Sequence, residues 1–234
     1  MKNLFILMAV VFISVTSVFA QDKGYIGVSI GPSIPTGDFA SKDMNNEAAG
    51  FAKTGAIFDI TFAYKLNKNF GVTALLRGQA NKLDAKAISN EMYKQLPSEV
   101  SSSVSTSSWG VGGLLIGGYS TVPVAKQLSF ESRLMLGFIS ATSPDVTINL
   151  SGFGETAWVK QSSTTSTALA YLAGVGLKYD AGKRVCVLLN VDYLGSNPKF
   201  DNVETTSSDG EMSKDSYSQA FGTVNFGFGI GYRL

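Results

Sequence analysis

Histidine is absent from all 234 residues of this chain. Without imidazole there is no His-ligated zinc site, no histidine general base and no Ser-His or Asp-His catalytic pair. Cysteine is nearly as scarce: Cys186 stands alone, so no internal disulfide can form even in an oxidising compartment. Its place inside an apolar segment fits a small packed side chain rather than a reactive thiol. An apolar run of the roughly 20 residues a spanning helix needs is also missing, because the stretch at residues 4–15 is too short. There is no polybasic run, and 19 basic side chains face 18 acidic ones, so composition offers no electrostatic reason to expect nucleic acid or anionic lipid as a partner.

Residues 1–20 read as a secretory signal, with Lys2 as the positive start, the apolar stretch after it, and Val18-Phe19-Ala20 as a small-residue cleavage pattern. Cleavage is expected before Gln21, and because that residue is not cysteine a lipid anchor is not expected. Residues 21–234 are then one domain. Losing Lys2 takes the basic count to 18, level with the acids, for a mature net charge of zero.

What the chain does have is alternation. In its last eleven residues Val224, Phe226, Phe228, Ile230, Tyr232 and Leu234 occupy one strand face, with Asn225, Gly227, Gly229, Gly231 and Arg233 on the other. Eight such segments recur, at residues 24–32, 55–66, 70–80, 108–122, 128–140, 167–179, 184–194 and 219–234, with no helices between them to cover the apolar faces. Most are about ten residues or slightly longer, the length of a tilted strand crossing a bilayer, and lipid is the simplest partner for their apolar side. In the fourth segment glycines fall on both faces, and the expected register turns Leu114 and Ile116 inward.

The connections alternate too. Residues 67–69, 123–127 and 180–183 are short and rich in turn formers, whereas residues 36–54, 81–107, 141–166 and 195–218 are long and polar. Short turns on one side and long loops on the other are the asymmetry of an outer-membrane barrel, with the long loops outside the cell. An open sheet in lipid would leave edge N–H and C=O groups unpaired, so the first and last strands are expected to meet. The fold class expected is therefore all-β: a closed, eight-stranded, antiparallel, up-and-down transmembrane β-barrel. Tyr25, Tyr64, Tyr119, Tyr179, Tyr193 and Tyr232 lie near strand ends, as an aromatic girdle requires.

These registers project Asp59, Lys65, Arg77, Gln79, Glu131, Arg133, Lys178, Asn190, Asp192, Gln219 and Asn225 into the barrel. An eight-stranded barrel holds little more than its own side chains, so Asp59, Arg77, Glu131, Arg133 and Asp192 are expected to satisfy one another, Glu131 and Arg133 both reaching Arg77 or Asp59. No catalytic, cofactor-binding or metal site is identified. The glycine patterns at residues 110–118 and 227–231 open no helix and so do not read as phosphate loops. Function would then lie in the loops. Residues 84–96, with Ile88, Met92 and Leu96 at four-residue spacing, predict a short amphipathic helix. Residues 146–150 and 157–159 predict a hairpin turning at Gly152-Phe153-Gly154, with Phe153 and Trp158 as candidate contact residues near its tip.

Over essentially the whole mature chain, the signal, eight strands, loop asymmetry and terminal Gly-Ile-Gly-Tyr-Arg-Leu strand resemble the small outer-membrane barrels of the OmpA transmembrane-domain and OmpX type, and the β-barrel domain proteins abundant in Bacteroidetes-like Gram-negative bacteria. That resemblance implies a cell outer membrane location, lipid as the surrounding partner, and recognition of the last strand by the barrel-assembly machinery. Phe226, Phe228, Tyr232 and Leu234 would carry that assembly signal, although ending in Leu rather than Phe departs from the commonest pattern. No peptidoglycan-binding domain is expected after the eighth strand. The resulting expectation is a monomeric, non-enzymatic structural or surface-interaction protein acting through its loops on an unidentified extracellular partner, and not on nucleic acid. A narrow channel or small-solute porin, and a soluble exported barrel holding an apolar ligand, are the alternatives.

Overall fold

Strands with one apolar face and one small or polar face close into a cylinder only if every strand turns the same kind of face outward, and this chain does so. The computed structural model describes residues 23–94, 96–97 and 99–234. The expected signal at residues 1–20 lies outside them. Eight strands form the closed barrel: β1 (Gly24–Pro35), β2 (Gly55–Lys65), β3 (Phe70–Lys82), β5 (Ser108–Pro123), β6 (Leu128–Thr142), β9 (Thr165–Asp180), β10 (Val185–Ser196) and β13 (Phe221–Arg233). The barrel closes where β1 pairs antiparallel with β13, Tyr25 opposite Arg233 and Ile30 opposite Phe228.

The outward belt is apolar. Ile30, Phe58, Leu76, Leu134, Phe138, Leu189, Phe226 and Phe228 are all exposed, Phe228 by 59%. With the backbone paired within the barrel and this belt outside, lipid replaces water as the neighbour, and no helix among the described residues is long and apolar enough to cross a membrane. The belt also excludes the soluble-barrel alternative, which needs the two faces exchanged. Small residues serve the inner face: a Cβ on Gly231 would come within 2.7 Å of the Cys186 sulfur, so glycine is what lets β13 lie flat against that buried side chain.

The fourth barrel strand corrects the expectation for Leu114 and Ile116. Both point outward, while Trp109, Val111, Leu115 and Tyr119 are buried inside. Pairing decides this: Leu114 stands opposite Leu76 and Phe138, and Ile116 opposite Ala74 and Leu136, all outward positions, so an inward Leu114 would break parity with both neighbours. Two girdle assignments change as well. Tyr25 and Tyr119 are buried in the lumen, whereas Tyr179 and Tyr232 are exposed at the short-turn rim and Tyr193 near the other end beside Tyr171. Gln219 precedes β13 instead of lying in it, and its Nε2 donates to Ala48 O at 2.9 Å above the barrel.

The long connections fold. The helix predicted over 84–96 is α1 (Ala85–Tyr93), and the predicted hairpin is β7 (Val146–Gly152) with β8 (Glu155–Gln161), turning through Phe153 and Gly154 at positive φ. Three strands have no counterpart in the sequence reading: β4 (Ser101–Thr106), β11 (Lys199–Ser207) and β12 (Met212–Ser218). Ser-Ser-Ser-Val-Ser-Thr and Met-Ser-Lys-Asp-Ser-Tyr-Ser carry almost no apolar alternation, and pairing to neighbours makes them strands. Together the five extra strands form a second sheet in the order β12-β11-β8-β7-β4 beyond the barrel.

Candidate functional site

The lumen is filled in layers. At the loop end, the 3-10 turn Gly37–Ala40 carries Phe39 into the barrel mouth, where it is fully buried. Its ring lies 4.3 Å from that of Phe221 and 5.8 Å from that of Trp109, and Trp109 continues the stack toward Phe200. Trp109 Nε1–H donates to Gly50 O at 3.0 Å, so the one polar atom of the indole is satisfied by the loop that covers it. Val104, Val146, Val203 and Tyr217 extend this cluster, which seats the second sheet on the barrel mouth. Nothing in the sequence marks Phe39, an isolated aromatic in a polar loop.

The polar layer lies below. Arg77 on β3 donates from Nε to Asp59 Oδ1 at 2.8 Å and from Nη2 to Asp59 Oδ2 at 2.6 Å, a planar two-point pairing that only guanidinium provides. Its Nη1 lies 3.0 Å from Asp192 Oδ1, and Arg133 Nη2 donates to Asp192 Oδ2 at 2.7 Å. Four strands, β2, β3, β6 and β10, are thus tied across the lumen by two cations and two anions. Gly174 makes room for this: a Cβ there would lie 2.6 Å from the Asp192 Cβ.

Of the expected polar set, the structure brings Asp59, Arg77, Arg133 and Asp192 together and leaves Glu131 apart. Glu131 sits nearer the short turns and accepts a hydrogen bond from Tyr25 Oη at 3.0 Å, instead of reaching Arg77 or Asp59. Two residues along a strand is about 7 Å, enough to place Arg133 and Glu131 in different layers. Between these layers the enclosed space is about 10 Å³, lined by Tyr25, Thr73, Tyr119, Glu131 and Arg133 among others, room for about one water molecule.

The second sheet is the other candidate surface. Phe153 is 78% exposed at the β7–β8 turn, and Trp158, on β8 opposite Asn149, is 40% exposed. One edge of the sheet is covered: Tyr93 on α1 donates from Oη to Ser102 O at 2.9 Å and accepts from Ser102 N–H at 3.2 Å. Strand β12 at the other edge pairs only with β11 among the described residues. Loop anchoring is polar: Asp84 accepts from Lys42 Nζ at 2.7 Å and from Ala87 N–H at 3.1 Å as the N-cap of α1. The Lys42 hydrogen bond, with help from the backbone bond, holds the Asp84 carboxyl below its ordinary range despite opposing burial. At the opposite end, β13 stops at Arg233, and Leu234 N–H donates to Gly24 O at 2.9 Å.

A closed wall, an outward apolar belt and a filled lumen define a transmembrane β-barrel. The fold is that of the small eight-stranded barrels of the bacterial outer membrane, and that membrane is where the chain resides. No protein-family model matches the chain, and no curated protein does. Among solved structures, the outer membrane protein OprG of Pseudomonas aeruginosa is similar at a TM-score of 0.50 with 11% identity, covering 91% of this chain and 96% of that one. A major outer membrane protein of Thermus thermophilus is similar at 0.50 with 8% identity, covering 90% and 99%. The attachment invasion locus protein Ail of Yersinia pestis gives 0.41 with 14% identity, covering 91% and 99%. At these identities the likeness concerns fold.

Proposed function

We propose that this chain is a non-enzymatic surface-interaction protein whose barrel is an anchor and whose second sheet is the contact element. The observation that carries this reading is that three of the four long loops fold into one five-stranded sheet, packed on the barrel mouth by an aromatic core, with Phe153 and Trp158 left outside that core. A loop needed only to connect strands has no reason to order a sheet, and exposed aromatics on a rigid support are efficient anchors for a partner. The absence of histidine supports the non-enzymatic part. The channel alternative has less support, because a conducting path would have to pass both the aromatic layer and the buried Arg77–Asp192 layer. Recognition of the last strand, from Phe226 to Leu234, by the barrel-assembly machinery belongs to the same reading.

The test uses the folded barrel in two settings. In planar bilayers the unaltered protein is expected to give no defined open level. Displayed on cells, it is expected to promote attachment to protein-coated surfaces, and Phe153→Ser with Trp158→Ser should reduce that attachment while heat-dependent gel mobility is unchanged. Discrete conductance steps, or attachment indifferent to both substitutions, would overturn the reading.

A further inference from the structure

The net charge of this protein is balanced in sum and polarised in space. At the short-turn end, Lys68 lies in the β2–β3 turn, Lys126 in the β5–β6 turn, and Lys183 with Arg184 in the β9–β10 turn, all exposed. The adjoining strand ends add Lys65, Lys178 and Arg233, and Lys23 precedes β1. Against these cations stand only two described acidic side chains, Asp180 at the rim and Glu131 just inside it. Both are engaged: Asp180 lies 3.5 Å from Lys178 Nζ and 3.8 Å from Arg233 Nη1, and Glu131 accepts from Tyr25. Among the described residues, Lys68, Lys126, Lys183 and Arg184 form no salt bridge within 4.0 Å. At the loop end the balance reverses, with thirteen described acids against eight lysines.

We propose that this basic rim binds the anionic headgroups of phospholipids in the periplasmic leaflet of the outer membrane. The inference goes beyond the surface reading and does not depend on it, since it concerns the opposite end of the barrel. No run of basic residues exists in the sequence, and the ring forms only on closure. In the barrel order β1-β13-β10-β9-β6-β5-β3-β2, each strand pair joined or meeting at this end contributes at least one base, so the charge encircles the rim. Depth favours lipid over the cell wall. Tyr232 and Tyr179 mark the headgroup level, and Arg184 Nη1 donates to Tyr232 Oη at 2.9 Å. Each turn spans only four residues, 66–69, 124–127 and 181–184, which holds its bases beside that level instead of extending them outward. Long aliphatic stems then let the lysine ammonium groups meet phosphate while the stems lie along apolar surface. Attraction of this kind falls off within a Debye length, so it serves the leaflet in contact and little beyond it.

The experiment places the folded mature chain in nanodiscs of phosphatidylcholine and compares spin-labelled phosphatidylglycerol with spin-labelled phosphatidylcholine by the motionally restricted fraction in electron paramagnetic resonance. A preference for phosphatidylglycerol of about fivefold is expected, the ratio that one basic residue near an anionic surface supplies. It should fade in about 1 M salt, where the Debye length is about 3 Å. Lys68→Gln, Lys126→Gln, Lys183→Gln and Arg184→Gln combined should lower the preference to that of phosphatidylcholine, with heat-dependent gel mobility retained as the control for folding. Lys160→Gln with Lys214→Gln, at the other end, should leave it unchanged. An absent preference, or one untouched by the fourfold variant, overturns the proposal. So does rim-dependent binding to purified peptidoglycan without lipid preference, which would assign the rim to acidic wall peptides.

Discussion

Arg77 and Asp59 face each other across the β2–β3 ladder, joined by hydrogen bonds of 2.8 and 2.6 Å, and the same guanidinium approaches Asp192 on the far wall at 3.0 Å. One guanidinium therefore bridges two buried carboxylates, and Arg133 supplies the second positive charge at Asp192. Replacing Arg77 with Met is expected to destabilise the barrel by about 3–5 kcal/mol, the usual cost of stranding buried charge when one partner is removed. Urea unfolding in lipid vesicles measures it. Changing Arg77 and Asp59 together to apolar residues, which leaves Asp192 paired with Arg133, should recover much of the loss. A single variant as stable as the unaltered protein would show that the network is not strained by losing its centre.

Phe228, opposite Ile30 and Leu189 on the lipid face, sets a second expectation. Phe228→Arg should cost roughly 2–4 kcal/mol near the bilayer midplane and lower the amount of assembled barrel in membranes. Extraction of outer membranes and gel mobility with and without boiling reads the outcome. Normal levels of heat-shifted protein would mean that β13 lies in the opposite register.

Phe39 fills the mouth from an otherwise polar loop. Phe39→Ala should lose about 3–5 kcal/mol of the packing that seats the second sheet, so protease cleavage within residues 36–54 should rise. The barrel itself should persist, and bilayer conductance should remain absent because the Arg77 layer still closes the lumen. Ion steps in this variant would assign the seal to the aromatic layer instead.

Asp84 links the first and second long loops through Lys42 and caps α1. Its carboxyl is held below the ordinary value chiefly by the Lys42 hydrogen bond, so its stabilising contribution is fully present above the unfolded value of about 3.9 and is lost as pH falls through the lowered folded value. Protection of the α1 amides relative to their intrinsic exchange should therefore fall only below about pH 4. Asp84→Ala should remove that acid dependence and loosen the helix by about 0.5–2 kcal/mol at neutral pH. Exchange in the variant that still responds to acid in the same window would point to another group.

Particular strands show what could be read without coordinates. The alternation from Val224 to Leu234 and from Phe58 to Tyr64 placed β13 and β2, because period-two apolarity has one meaning when no helix is there to cover the apolar faces. Where glycine occupies both faces, as in residues 110–118, alternation carries no parity, and the neighbours Leu76 and Phe138 turn Leu114 outward. The polar β4 and β12 carry no alternation either, since their strand character comes from pairing. Of the candidate residues, opposite charge on inward positions makes Asp59, Arg77, Arg133 and Asp192 visible, whereas Glu131 falls in a different layer from the one expected because face alone says nothing of height.

The sequence by itself determined the eight spanning strands, their lipid-facing belt outside the glycine-rich strand β5, and which ends carry long loops, because these follow from local alternation and turn chemistry. Tertiary structure decided the Phe39 plug, the pairing of Arg77 with two walls, the second sheet and the ring of bases at the short turns. Each of these joins residues far apart in the chain, and barrel closure sets which of them share a height.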